Sequence, residues 1–151
     1  MKFISLALVG TILPLVHAIG NAIVTNYCQS TIYVWSVGSS TTDYQSVASN
    51  QSYTEQYRND PVSGGITLKV TAVADGIYNG APELDYGYNL DNDTVWYDIS
   101  DVNGDPFAGS SVALVPSIGT CRSFIWADGI SPSGINTAPC SSDGDLQLTF
   151  C

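Results

Sequence analysis

The sequence predicts an all-β fold, a single-domain β-sandwich closed by two disulfides. Three observations carry this expectation. Short β-prone runs alternate with turns rich in Gly, Asn, Asp, Ser and Pro, and no stretch past residue 20 has a convincing helical period. Four cysteines, Cys28, Cys121, Cys140 and Cys151, sit in a chain whose start reads as an export signal.

The export signal comes first. Lys2 is a short positive n-region, Phe3 to Val16 is almost continuously apolar, and Val16-His17-Ala18 places permissive residues before a cleavage site. The apolar run is short of the ~20 residues a membrane-spanning helix needs. Residues 1–18 are therefore expected to be a signal peptide and residues 19–151 one mature domain, a soluble chain with no membrane insertion.

The expected strands follow in order. Asn21 to Tyr27 is the first. Thr31 to Val37 is apolar or aromatic on both faces, which suggests a central position. Gln51 to Tyr57 comes next, then Ile66 to Ala74, where Ile66, Leu68, Val70 and Ala72 alternate with Thr67, Lys69 and Thr71. Glu83 to Tyr88 and Thr94 to Ile99 read as a hairpin, and Ser111 to Val115 as a further strand. Leu146, Leu148 and Phe150 alternate with Gln147 and Thr149 in the last. Ser63-Gly64-Gly65, Asn79-Gly80 and Asn103-Gly104 are turn signals that tolerate positive φ. Residues 128–145 read as an irregular loop held by cysteines.

Four cysteines in an exported domain imply two disulfides, and spacing alone leaves three pairings open. A bridge from Cys28 to Cys151 would close nearly the whole domain, worth ~4–5 kcal/mol in the chain-entropy model.

Charge and composition exclude several functions. With the signal removed, Arg58, Lys69 and Arg122 stand against fourteen Asp and Glu, a formal charge of −11. Such a surface repels nucleic acid and anionic membranes. The only histidine is His17, inside the signal, so histidine chemistry is unavailable to the mature chain. With its cysteines oxidised it has no thiol nucleophile, no phosphate-binding loop is present, and no cofactor is expected. The segment Asp101-Val102-Asn103-Gly104-Asp105 has the oxygen spacing of part of a calcium loop but lacks the closing Glu; an Asn-Gly turn explains it and no metal is expected.

Carboxylates and aromatics remain. Glu83, Asp85 and Asp98 flank the expected hairpin, and a pair of carboxylates ~5–10 Å apart is the equipment of a glycosidase. Tyr78, Tyr86, Tyr88, Trp96 and Tyr97 cluster near them in sequence, and aromatic faces beside carboxylates suit neutral sugars. The sequons at Asn50 (Asn50-Gln51-Ser52) and Asn92 (Asn92-Asp93-Thr94) are expected N-glycosylation sites.

Gly20-Asn21-Ala22-Ile23-Val24, then Cys28 and Val34-Trp35-Ser36-Val37, resemble the opening of the fungal yeast-phase-specific antigens, also called antigenic thaumatin-like proteins. The resemblance continues through Gln51-Ser52-Tyr53, Tyr57-Arg58, Gly64-Gly65-Ile66 and Lys69. It is most specific at Val95-Trp96-Tyr97-Asp98-Ile99-Ser100, and runs on through Asn103-Gly104 and Pro106-Phe107 to the spaced cysteines. It implies a shortened thaumatin-like β-sandwich with Cys28 paired to Cys151 and Cys121 to Cys140. Plant thaumatin-like proteins carry an acidic cleft linked to β-1,3-glucan binding. By that resemblance Asp85 falls where the family has Glu, Asp98 matches the Asp of the Tyr-Asp-Ile-Ser block, and a third acidic position falls on Asn103, which has no carboxylate.

These readings converge on a secreted, non-enzymatic fungal protein, extracellular or wall-associated and monomeric. Its expected partner is wall β-glucan or a host surface protein, bound through Asp85, Tyr86, Trp96, Asp98 and Asn103. Two alternatives stand beside it: an effector or antigen acting through protein contacts, and a weak endo-β-1,3-glucanase using Asp85 and Asp98.

Overall fold

The computed structural model describes residues 18–151; residues 1–17, and with them nearly all of the expected export signal, lie outside the described residues. Among the described residues, eleven strands form two facing sheets, and one helical turn connects two of the strands. In chain order they are β1 (Asn21–Asn26), β2 (Ile32–Val37), β3 (Gln45–Val47), β4 (Gln51–Gln56), β5 (Ile66–Thr71), α1 (Gly76–Asn79), β6 (Glu83–Asp91), β7 (Thr94–Val102), β8 (Val112–Pro116), β9 (Phe124–Trp126), β10 (Thr137–Ser141) and β11 (Leu146–Phe150). One sheet has the order β4-β1-β11-β8-β9, the other β10-β7-β6-β5-β2-β3.

Alternation builds the core. In β6, Leu84, Tyr86 and Tyr88 face the opposite sheet; in β7, Val95, Tyr97 and Ile99 do the same, and Leu114, Leu146 and Leu148 answer them. Buried tyrosines need partners for their hydroxyls. Tyr57 donates to the Gly144 carbonyl at 3.0 Å, Tyr86 to that of Leu146 at 3.4 Å and Tyr97 to that of Arg122. Phe107 stacks on Phe150 with centroids 4.1 Å apart and covers one end of the sandwich.

The first and last strands pair in parallel at the middle of the five-stranded sheet, from Ala22 opposite Leu146 to Asn26 opposite Phe150. Parallel strands end on the same side, so Cys28 and Cys151 meet just beyond them and form a disulfide with Cα atoms 5.0 Å apart. Cys121, between β8 and β9, bonds Cys140 on β10 and so links the two sheets. Both pairings match those the family resemblance implies.

Several expectations change. The strand at β2 is second from its edge rather than central. Both of its faces are covered because Tyr44 packs edge-on against Tyr33 and Trp35. The segment 128–145, expected to be irregular, contains β10 and leads into β11 at Leu146. Pro139 is tolerated in β10 because that strand is a sheet edge with no second partner to bond.

Candidate functional site

The candidate site is the outer face of the six-stranded sheet, built from positions that alternate with the core. On β6 these are Asp85, Gly87 and Asn89; on β7 they are Trp96, Asp98 and Ser100. In the antiparallel register Asp85 lies opposite Ser100, Gly87 opposite Asp98, and Asn89 opposite Trp96. Asp85 and Asp98 are thus diagonal neighbours on one face, where Cβ atoms are roughly 7 Å apart.

Register also decides what each carboxylate does. Lys69 on β5 lies opposite Asp85. Its Nζ donates to Glu83 Oε1 at 2.7 Å and to Asp85 Oδ2 at 3.0 Å. Burial alone lowers the ammonium pKa, but these two carboxylates reverse that and raise it above its usual value. Burial likewise pushes the Asp85 carboxyl up, against the pull of Lys69, and the nearby charges of Glu83 and Asp98 add to it.

Asp98 differs. Its carboxylate lies over Gly87, where a side chain would collide with it, and it takes no hydrogen bond from any described residue. Burial raises its pKa. Beside it, Trp96 is 47% exposed. A shallow open groove of about 360 Å³ runs over this surface, lined by Thr67, Gly87, Asn89, Trp96, Asp98 and Thr137 among others. Across the Trp96 ridge a second groove is lined by Asn59, Pro61, Leu90, Asp91 and the same Asn89 and Trp96. An exposed indole face, amide and hydroxyl groups and one unengaged carboxylate can stack on a sugar ring and accept its hydroxyls.

The structure therefore brings Asp85, Trp96 and Asp98 onto one face. It does not bring Tyr86 there. Neighbours along a strand point to opposite sides, so with Asp85 outward Tyr86 turns inward, and it is 0% exposed. Tyr88 and Tyr97 are core residues for the same reason. Asn103 lies beyond the end of β7 in a turn where it and Gly104 both have positive φ, five residues from Asp98. Sequence reasoning passed over Gly87, Asn89 and Thr137. The signal for Gly87 was available, because a glycine inside a strand marks a close approach.

Just before that turn, near the end of β7, both carboxylate oxygens of Asp101 are buried; burial first, then the hydrogen bond and charge of the Asp105 carboxyl, pushes its pKa up to about 7. Asp105 receives the Ser131 N–H at 3.2 Å. No group of three or more His, Cys, Asp or Glu side chains converges for a metal among the described residues.

The sequons also find places. Asn50 and Asn92 are exposed, each in a tight turn with positive φ, the first before β4 and the second in the two-residue turn joining β6 to β7.

Residues 9–151 match the family model described as Bys1, Blastomyces yeast-phase-specific protein. The chain is 27% identical to an antigenic thaumatin-like protein of Arthroderma benhamiae, across 98% of this chain and 80% of that one. It is 26% identical to the secreted thaumatin-like protein calA of Emericella nidulans, across 87% and 81%. Among solved structures it is similar to the protein elicitor MoHrip2 from Magnaporthe oryzae, with a TM-score of 0.71, 28% identity and coverage of 87% and 98%. The thaumatin-like xylanase inhibitor TLXI shares the fold alone, with a TM-score of 0.59, 13% identity and coverage of 86% and 98%. Two facing sheets, two disulfides and a family match over nearly the whole chain place this protein in the Bys1 family of yeast-phase-specific proteins, with a thaumatin-like fold.

Proposed function

We propose that this is a secreted, non-catalytic thaumatin-like protein that binds fungal wall polysaccharide, β-1,3-glucan first, on the outer face of its six-stranded sheet. The observation that carries the reading is the exposed Trp96 ring standing beside the unengaged Asp98 carboxylate over an open groove. Stacking supplies affinity, and Asp98, Asn89 and Thr137 supply hydrogen-bond partners for sugar hydroxyls. Export fits the expected signal peptide, the two disulfides and a relative named as secreted.

Hydrolysis needs two carboxylates in complementary roles. Asp85 is tied to Lys69, so it is not free to act as nucleophile or base opposite Asp98. A glucanase would instead release reducing ends, and the release would vanish in Asp98→Asn.

The test is co-sedimentation of the oxidised domain with insoluble β-1,3-glucan, with chitin as control and Trp96→Ala and Asp98→Asn in parallel. Selective retention lost in both variants is the expected result. Absence of retention by glucan overturns the reading.

A second reading has its own observation: similarity at 28% identity to a protein described as an elicitor. On that reading the chain acts at a host surface through protein contacts, and infiltration of plant tissue gives the same response with Asp98→Asn as with the native protein.

A further inference from the structure

We propose that Asn92 carries an N-linked glycan that overhangs the groove beside Trp96 and limits access to the sheet face. Asp91 pairs with Thr94, so Asn92 and Asp93 alone make the turn, and Asn92 adopts φ 52° at its exposed tip. Its Nδ2 makes one side-chain bond, to Asp91 Oδ1 at 2.9 Å, and that contact is itself exposed. A substituent on Nδ2 therefore displaces no core group and breaks no buried bond. Thr94, the sequon hydroxyl residue, starts β7 on the same face as Trp96 and Asp98.

Position gives the glycan its consequence. Asp91, whose carboxylate touches the Asn92 amide, lines the groove that runs between Pro61 and Leu90 to Trp96. Asn92 itself lines neither groove but directly follows Asp91, so the first sugars on it start next to that groove's wall. Neither Asn50 nor its chain neighbours line these grooves, and Asn50 sits in a turn leading to the opposite sheet, so a glycan there leaves Trp96 untouched.

The co-substrate is an oligosaccharide carried on a lipid diphosphate. Asn92 Nδ2 forms a bond to C1 of the terminal N-acetylglucosamine, and the bond from C1 to the diphosphate oxygen breaks. The lipid diphosphate leaves with the bonding electrons, and the amide proton passes to a base of the transferase. The proposal rests on the export reading but not on glucan binding, and its test is independent of any polysaccharide.

The full chain is expressed in a secreting yeast and collected from the medium, which establishes export separately from modification. Peptide mapping with and without peptide N-glycosidase reads occupancy, and Thr94→Ala is expected to abolish the glycan at Asn92 alone. Access is read by acrylamide quenching of tryptophan fluorescence. Trp35 and Trp126 are 1% and 3% exposed, so the quenchable signal comes from Trp96. The quenching slope is expected to rise about twofold in Thr94→Ala, as one covered face of the ring opens, and to stay unchanged in Asn50→Gln. Secreted protein bare at Asn92 overturns the proposal. So does a glycosylated protein whose slope is the same with and without the Asn92 sugar.

Discussion

Asp98 lies across Gly87, the residue opposite it on the neighbouring strand, and its Oδ1 occupies the space that a β-carbon at position 87 would need. The bare backbone at Gly87 is what lets a partly buried carboxylate lie flat on the sheet beside Trp96. Gly87→Ala is expected to cost about 1–3 kcal/mol by overpacking. It is also expected to weaken glucan retention about tenfold, the worth of one charged hydrogen bond. Urea unfolding and co-sedimentation on the same preparation check both. Retention equal to the native protein would separate Asp98 from ligand contact.

Lys69 is the only cation bonded to Glu83 and Asp85 among the described residues. Lys69→Met should destabilise the domain at neutral pH by about 2–3 kcal/mol. That is less than for a fully buried ion pair, because a quarter of the lysine side chain (24%) remains exposed. The loss should shrink near pH 4, where the Asp85 carboxyl, its pKa raised above 3.8 by burial, takes up a proton and needs the cation less. Denaturant midpoints at the two pH values decide it.

Asp101 and Asp60 pull the pH profile in opposite directions. The folded state holds the Asp101 proton up to about pH 7, whereas the unfolded chain releases it near 3.8. The native state thus binds more protons between those values, and stability falls as pH rises through them. Asp101→Asn should therefore raise stability above pH 7 by about 1–2 kcal/mol, discounted for partial solvent exposure, and change little near pH 4. Asp60 is the reverse: N–H donors from Ser39, Ser63 and Val62 and the Ser39 hydroxyl hold its pKa well below 3.8. Its contribution is present at neutral pH and is lost as acidification passes below 3.8. Thermal melts across the range read both slopes.

Removing the two disulfides should have unequal effects. Cys28–Cys151 spans 123 residues and Cys121–Cys140 spans 19. Loop closure predicts losses of about 5 and about 3 kcal/mol respectively. Double-serine replacements compared by urea unfolding give the order, and a larger loss for the short loop would point to its link between the sheets as the dominant contribution.

Most of the scaffold was legible because its strands bury one face in a strict period of two. Ile66, Leu68 and Val70 are buried as that period requires, and the hairpin from Glu83 to Val102 extends the expected runs by a few residues at their ends. The strands that sequence missed are weak where the signal is read. Those at Gln45–Val47 and Phe124–Trp126 are three residues long, and that at Thr137–Ser141 carries a proline. The site was half legible. Residue type marked Asp98 and Trp96, but aromatics clustered in sequence were divided by the pleat into core (Tyr86, Tyr88, Tyr97) and surface (Trp96). The Lys69 ion pairs depend on the register between β5 and β6, which turn lengths set and composition does not.

The parallel pairing of β1 with β11 has a consequence for how the molecule comes into being. The strand that completes the centre of the five-stranded sheet is made of residues 146–150, and Leu146 follows its partner Ala22 by 124 positions. Until they are synthesised, the inner edge of β1 has no neighbour, and β8 has nothing between it and β1. Contacts so distant in sequence close slowly. During synthesis this sheet therefore stays open beside β1, and residues 146–150 seal it from the middle when they arrive.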